Sequence, residues 1–162
     1  MCTHLLRNKI KGITIIEVAF GVSIAGIIIV YVFGAVNLFI NSAHEVTKQT
    51  QALYFAEDGL ELLRYVRDGN WATLSGIPLN TTRYLAVASS TVSVSTTPEV
   101  FGDFTRSFTM NNVYRDSSTD DIVASTTGGS VADTNSKYVT MTVSWGAGKQ
   151  VVLEGMLINI HQ

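Results

Sequence analysis

Glu17 stands at the border of residues 18–40, a run of 23 residues without an acidic or basic side chain. An ionised carboxylate entering hydrocarbon costs several kcal/mol unless it is neutralised or paired. Glu17 therefore either marks the interface at the end of a membrane anchor or requires a cation beside it. The other chemistry-bearing residues are scattered. His4, His44 and His161 lie near the N-terminus, just past the apolar run and near the C-terminus, which assembles no catalytic or metal group. Asp116, Asp120, Asp121 and Asp133 fall in polar sequence and carry oxygen ligands of the kind calcium takes, without the spacing of an EF-hand. With Ser, Thr and Gly around them they read as solvated turns, and no metal ligand is assigned. Cys2 is the lone cysteine, so no intramolecular disulfide is available. No enzyme, cofactor or small-molecule substrate is expected.

The elements that must position Glu17 follow from composition. Of the 162 residues 46% are hydrophobic and 15% charged, and the net charge is −2. Arg7, Lys9 and Lys11 sit in the first dozen residues; without them eight basic residues face thirteen acidic ones, a balance of −5. A mildly acidic remainder has no general attraction for phosphate backbones, so no nucleic-acid partner is expected. The length suits one globular domain plus one extended segment. Three positive and no negative charges in residues 1–12 predict an N-terminus kept on the cytoplasmic side of a membrane. At ~1.5 Å per residue the apolar run reaches about 34 Å, enough for the ~30 Å hydrocarbon core. A secretory signal would have a shorter apolar region ending in a small-residue cleavage site. Gly21, Gly26 and Gly34 interrupt this helix at roughly 1 kcal/mol each in water, while in lipid such residues also permit close helix contacts.

The helix is expected to continue to about residue 68. Val46, Leu53 and Leu60 are seven apart, Ala56 and Leu63 fill the offset positions, and Arg67-Asp68-Gly69-Asn70 makes a C-cap. Glu57, Asp58, Glu61, Arg64 and Arg67 form a charged face, read first as solvated with Glu61 and Arg64 close enough to pair, and second as a subunit interface. Tyr65 and Trp71 are expected to pack beneath a sheet. The rest is rich in Thr, Ser and Val and predicts four to six strands. In residues 138–145, Val139, Met141, Val143 and Trp145 alternate with Thr140, Thr142 and Ser144, predicting one packed and one wet face. Gly146-Ala147-Gly148 predicts a hairpin into residues 150–160, whose fuller apolarity predicts a more buried strand. Earlier candidates are residues 83–88, 91–95, 104–114 and 122–125.

Lys11-Gly12-Ile13-Thr14-Ile15-Ile16-Glu17 resembles the prepilin processing motif of type IV pilins and type II secretion pseudopilins, with Ile13 in place of the commoner phenylalanine. The resemblance implies that a prepilin peptidase cuts between Gly12 and Ile13 and methylates the new amine of Ile13. That amine would supply the cation for Glu17, a charge pair that in the family helps set subunit register. Residues 56–67 and the ending YVTMTVSWGAGKQVVLEGMLIN also resemble minor pilins and pseudopilins, while residues 76–137 carry no recognisable signature.

The fold implied is α+β and pilin-like. Residues 1–12 would be the leader, 13–42 the membrane-spanning or filament-core half of a long helix, 43–70 its amphipathic half, and 71–162 an antiparallel β-sheet domain. The function implied is a minor pilin or pseudopilin, held first in the inner membrane with its N-terminus cytoplasmic and then in an extracytoplasmic filament. Its partners would be prepilin peptidase and other pilin or pseudopilin subunits. Two alternatives stay open from the residues alone: an unprocessed single-pass protein whose outer β domain binds a ligand or partner, and a membrane-tethered hydrolase.

Overall fold

The computed structural model describes residues 14–88 and 91–160. Helix α1 runs from Ile15 to Gly69, followed by the short helix α2, Trp71–Ser75. Seven strands follow: β1 Tyr84–Ala88, β2 Thr91–Ser95, β3 Glu99–Phe101, β4 Phe104–Asp116, β5 Ile122–Val123, β6 Ser130–Trp145 and β7 Lys149–Ile158. The expected long helix over an antiparallel sheet is present. The chain divides into two compact units, Met1–Glu45 and Val46–Gln162.

No proline interrupts α1, and its second half is rich in Ala, Leu, Glu and Gln, which lose little side-chain freedom in a helix. Gly69 ends it, and Asn70, in an extended conformation, caps α2 by accepting a hydrogen bond from the Ala72 N–H at 2.9 Å. Within the second unit α1 buries Ala52, Ala56, Gly59, Leu60, Leu63 and Val66. Three of the six are Ala or Gly, which lets the helix axis approach the sheet closely. A Cβ built on Gly59 would sit 2.8 Å from the Met141 methyl and 2.9 Å from Arg106 Cδ. The stripe thus differs from the expected one at its start: Val46 and Leu53 are exposed, and Ala52 takes the inward position. Tyr65 also points to solvent, whereas Trp71 packs against the core as expected.

The sheet facing α1 is ordered β3-β4-β6-β7, with β5 added to β4. All of its pairings are antiparallel. β1 and β2 form a separate hairpin, attached to β4 through an Arg83–Phe108 bridge. The inward residues Phe104, Arg106, Phe108 and Met110 on β4 and Val139, Met141, Val143 and Trp145 on β6 are buried. The opposite face of β6, Thr140, Thr142 and Ser144, is half-buried rather than wet, because β4 and β7 flank it on both sides.

Strand β7 corrects the expectation of a more buried final strand. It is an edge strand, and most of its residues are exposed or half-buried, with Leu157 its buried member. Apolarity along a strand reports side-chain character, whereas edge position is set by which strands find partners. Strand β6 begins at Ser130, well before residue 138, and the seven strands exceed the four to six expected; β3 and α2 have no signal in the sequence. Both are short, and a three-residue strand or a one-turn helix leaves no periodicity to read.

Candidate functional site

The first half of α1 is the part of the chain built least like a water-soluble protein. Its most apolar window has no buried residue and is long and apolar enough to cross a membrane. Ile15, Ile16, Phe20, Ile27, Val30, Phe33 and Phe39 are all exposed. A helix apolar all round has no stripe to aim at a single partner and must be surrounded by hydrocarbon or by other helices.

Glu17 lies in the first turn of α1 and is exposed. The Thr14 carbonyl accepts hydrogen bonds from the Glu17 N–H at 3.0 Å and the Val18 N–H at 3.2 Å. Thr14 therefore stands at the helix start, and Thr14-x-x-Glu17 has the spacing of a capping box. A carboxylate here is favoured by the unpaired N–H groups of the first turn, a local role that adds to any intermolecular one. Gly12 and Ile13, the expected cleavage and methylation positions, lie outside the described residues, as does the amine expected to pair with Glu17. His44 is on α1, far in sequence from the aspartates of the β domain; His4 and His161 also lie outside the described residues.

The charged face of α1 divides. Glu61 and Arg64 pair with each other, and Arg67 Nε donates to Asp68 at 2.8 Å. These are surface pairs of small energetic weight. Asp58 departs from the solvated reading. Its Oδ2 accepts from Arg106 Nη1 at 2.6 Å, and the same nitrogen donates to the Phe55 carbonyl at 2.9 Å. Glu99 takes the other side of the guanidinium with two bonds, from Nε at 2.8 Å and Nη2 at 2.9 Å. Arg106 is 1% exposed and lies 5.0 Å over the ring of Phe101, which stacks on Phe55. Burial on its own would lower the Arg106 pKa; hydrogen bonds to Glu99 and then Asp58 outweigh it and hold the group above its ordinary value. This cluster joins α1, β3 and β4. It had one sequence signal: Arg106 shares the parity of Phe104, Phe108 and Met110 in an alternating strand, an arginine at an inward position.

The four aspartates separate as well. Asp133 Oδ2 accepts from Arg115 Nε at 2.8 Å, and Asp116 Oδ1 accepts from the N–H groups of Ser118 and Thr119 at 2.8 and 3.2 Å. Asp120 adopts a positive φ of 62°, and its carbonyl accepts from Arg115 Nη1 at 2.9 Å. The carboxylates of Asp116 and Asp133 thus serve turn N–H groups and an arginine. No group of three or more metal-ligating side chains occurs among the described residues. No family model, curated protein or solved structure matches the chain.

Proposed function

We propose that the protein is a minor pilin or pseudopilin. In this reading prepilin peptidase removes residues 1–12 at the cytoplasmic face of the inner membrane and methylates Ile13. The subunit then leaves the bilayer to join a type IV pilus-like or type II secretion filament. The observation that carries the reading is the first half of α1: an unpacked helix, apolar on every side, with a single carboxylate in its first turn. In a plain anchor the carboxylate serves the helix N-terminus alone, whereas in a bundle of such helices each Ile13 amine facing a Glu17 would offset the cost of burying it. The chemistry is helix packing plus one buried ion pair, with no catalytic step.

The test is to express the full chain with and without prepilin peptidase and determine the N-terminus by intact mass and terminal sequencing. The expected product begins at methylated Ile13, and a Gly12→Leu variant stays uncut. A chain that keeps residues 1–12 in the presence of active peptidase overturns the reading. If cleavage occurs, Glu17→Gln is expected to abolish or strongly reduce incorporation into filaments while leaving membrane insertion intact.

A further inference from the structure

Residues 76–137, which carry no family signature, contain a cleft of about 560 Å³ beside the distal half of β4. One wall is Leu79-Asn80, the other is β5, and the floor is β4 from Asn111 to Tyr114 with Tyr138 of β6. The walls attach to β4 at separate points: the Asn80 N–H donates to the Met110 carbonyl at 2.9 Å, and Val123 pairs with Tyr114. Between them β4 has no strand partner on this edge among the described residues, so the gap is built into the sheet.

Three features mark the cleft as more than a surface dent. The β4–β6 register shifts between Asn112 and Val113, on the cleft floor. Such bulges re-aim side chains and concentrate near functional sites. Asn80 holds a φ of 53°, a left-handed conformation at the rim that asparagine tolerates better than most residues. Below the floor, Lys137 is 8% exposed and its ammonium donates to Asn112 Oδ1 at 2.6 Å, an amide rather than a carboxylate. Burying an ammonium against a neutral acceptor is costly. The bond fixes the Asn112 amide, with Oδ1 engaged and the Nδ2 hydrogens left to donate.

The lining is uncharged throughout. Its hydrogen-bonding side chains are the amides of Asn80, Asn111 and Asn112, the phenols of Tyr114 and Tyr138, and one serine, with Ile122 and Leu79 as apolar wall. Amides with paired donor and acceptor atoms match vicinal hydroxyls, tyrosine rings match the apolar face of a pyranose, and the absence of a lining charge disfavours ions. We infer that this cleft binds a neutral saccharide unit, with Asn111 and Asn112 reading hydroxyls and Tyr114 or Tyr138 stacking on the ring. Tyr138 stands directly opposite Asn111 in the β4–β6 ladder, which places the two on one face of the sheet. The inference is independent of processing and assembly, and would hold equally for a chain that is only membrane-anchored.

The experiment uses the isotope-labelled full chain in nanodiscs, titrated with maltose, lactose and N,N′-diacetylchitobiose and, in parallel, with sialyllactose and a capped neutral tetrapeptide. The expected result is that at least one neutral disaccharide shifts the amide and side-chain signals of Asn111, Asn112 and Tyr114. Asn111→Ala and Tyr138→Ala should each weaken that binding at least tenfold, with Asn111→Ala deciding alone if the tyrosine variant does not fold. Lys137→Met should weaken it less, by releasing the Asn112 amide. The proposal is overturned if no neutral disaccharide shifts these signals at about 10 mM, which bounds binding at a Kd well above 1 mM. It is also overturned if binding survives both alanine variants, or if the peptide or sialyllactose binds there more tightly than every neutral sugar.

Discussion

Arg106 and Glu99 have little contact with solvent, so removing either one leaves the other's charge inside the protein. Arg106→Ala strips Glu99, itself only 11% exposed at its side chain, of both its bonds. It is expected to cost about 3–5 kcal/mol, the range for breaking a buried pair from one side. Asp58 is 61% exposed, and Asp58→Asn should cost about 1 kcal/mol or less, since water can replace much of what is lost. Thermal or denaturant melts of the two variants in one detergent check the order. Asp133 makes a second prediction. Its pKa is held below the usual carboxylate range, first by the hydrogen bond from Arg115, against an opposing push from burial. A folded value below the unfolded ~3.9 means the stabilisation is complete above that pH and is lost as pH falls through the depressed folded value. A carboxyl NMR titration should give Asp133 a midpoint below an ordinary aspartate, and Arg115→Gln should raise it. The sequence made the solvated-turn reading of these aspartates legible but not their division of labour, because Arg115 meets Asp133 only across the paired strands β4 and β6.

Helix α1 and the β6–β7 hairpin were legible at the scale of elements because their signals are local. The apolar run, the Arg-Asp-Gly-Asn ending and the strict alternation of residues 138–145 each sit within a few turns or pleats. Gly146 and Gly148 both adopt positive φ, 55° and 79°, the conformation the hairpin turn needs. What the sequence left unread depends on partners distant in the chain: β7 as an edge, Val46 and Leu53 outside the packed stripe, and the gap along β4. The contact of α1 with the sheet has its own test at Gly59. Gly59→Ala would gain about 1 kcal/mol of helix propensity. The new methyl, however, meets the fully buried Met141 and an Arg106 stem pinned by four hydrogen bonds. Crowding of this kind costs about 1–3 kcal/mol, so the variant is expected to be less stable than the parent by about 1 kcal/mol. A melt with Gly69→Ala as a control at an open position checks it.

The whole molecule joins two solvent problems in one chain. Residues 15–40 expose large apolar side chains on every face of α1, while the second unit buries a continuous core from Ala52 to Leu157. The full chain is therefore expected to require detergent or lipid, and a version beginning at Val46 to remain monomeric and melt cooperatively in plain buffer. Sedimentation of the two in detergent-free buffer checks this, and aggregation of the shorter chain would count against the division at Glu45. The Arg106 cluster also has a mechanical meaning. A pull along α1 reaches the sheet through a guanidinium that grips the helix at Phe55 and Asp58. It then divides between β3, through Glu99, and β6, through the long β4–β6 ladder. Strand β7, with its open edge, stands two places from the point of entry. The load thus enters at β4, which has partners along both edges, and the long β4–β6 ladder takes it up before it reaches β7.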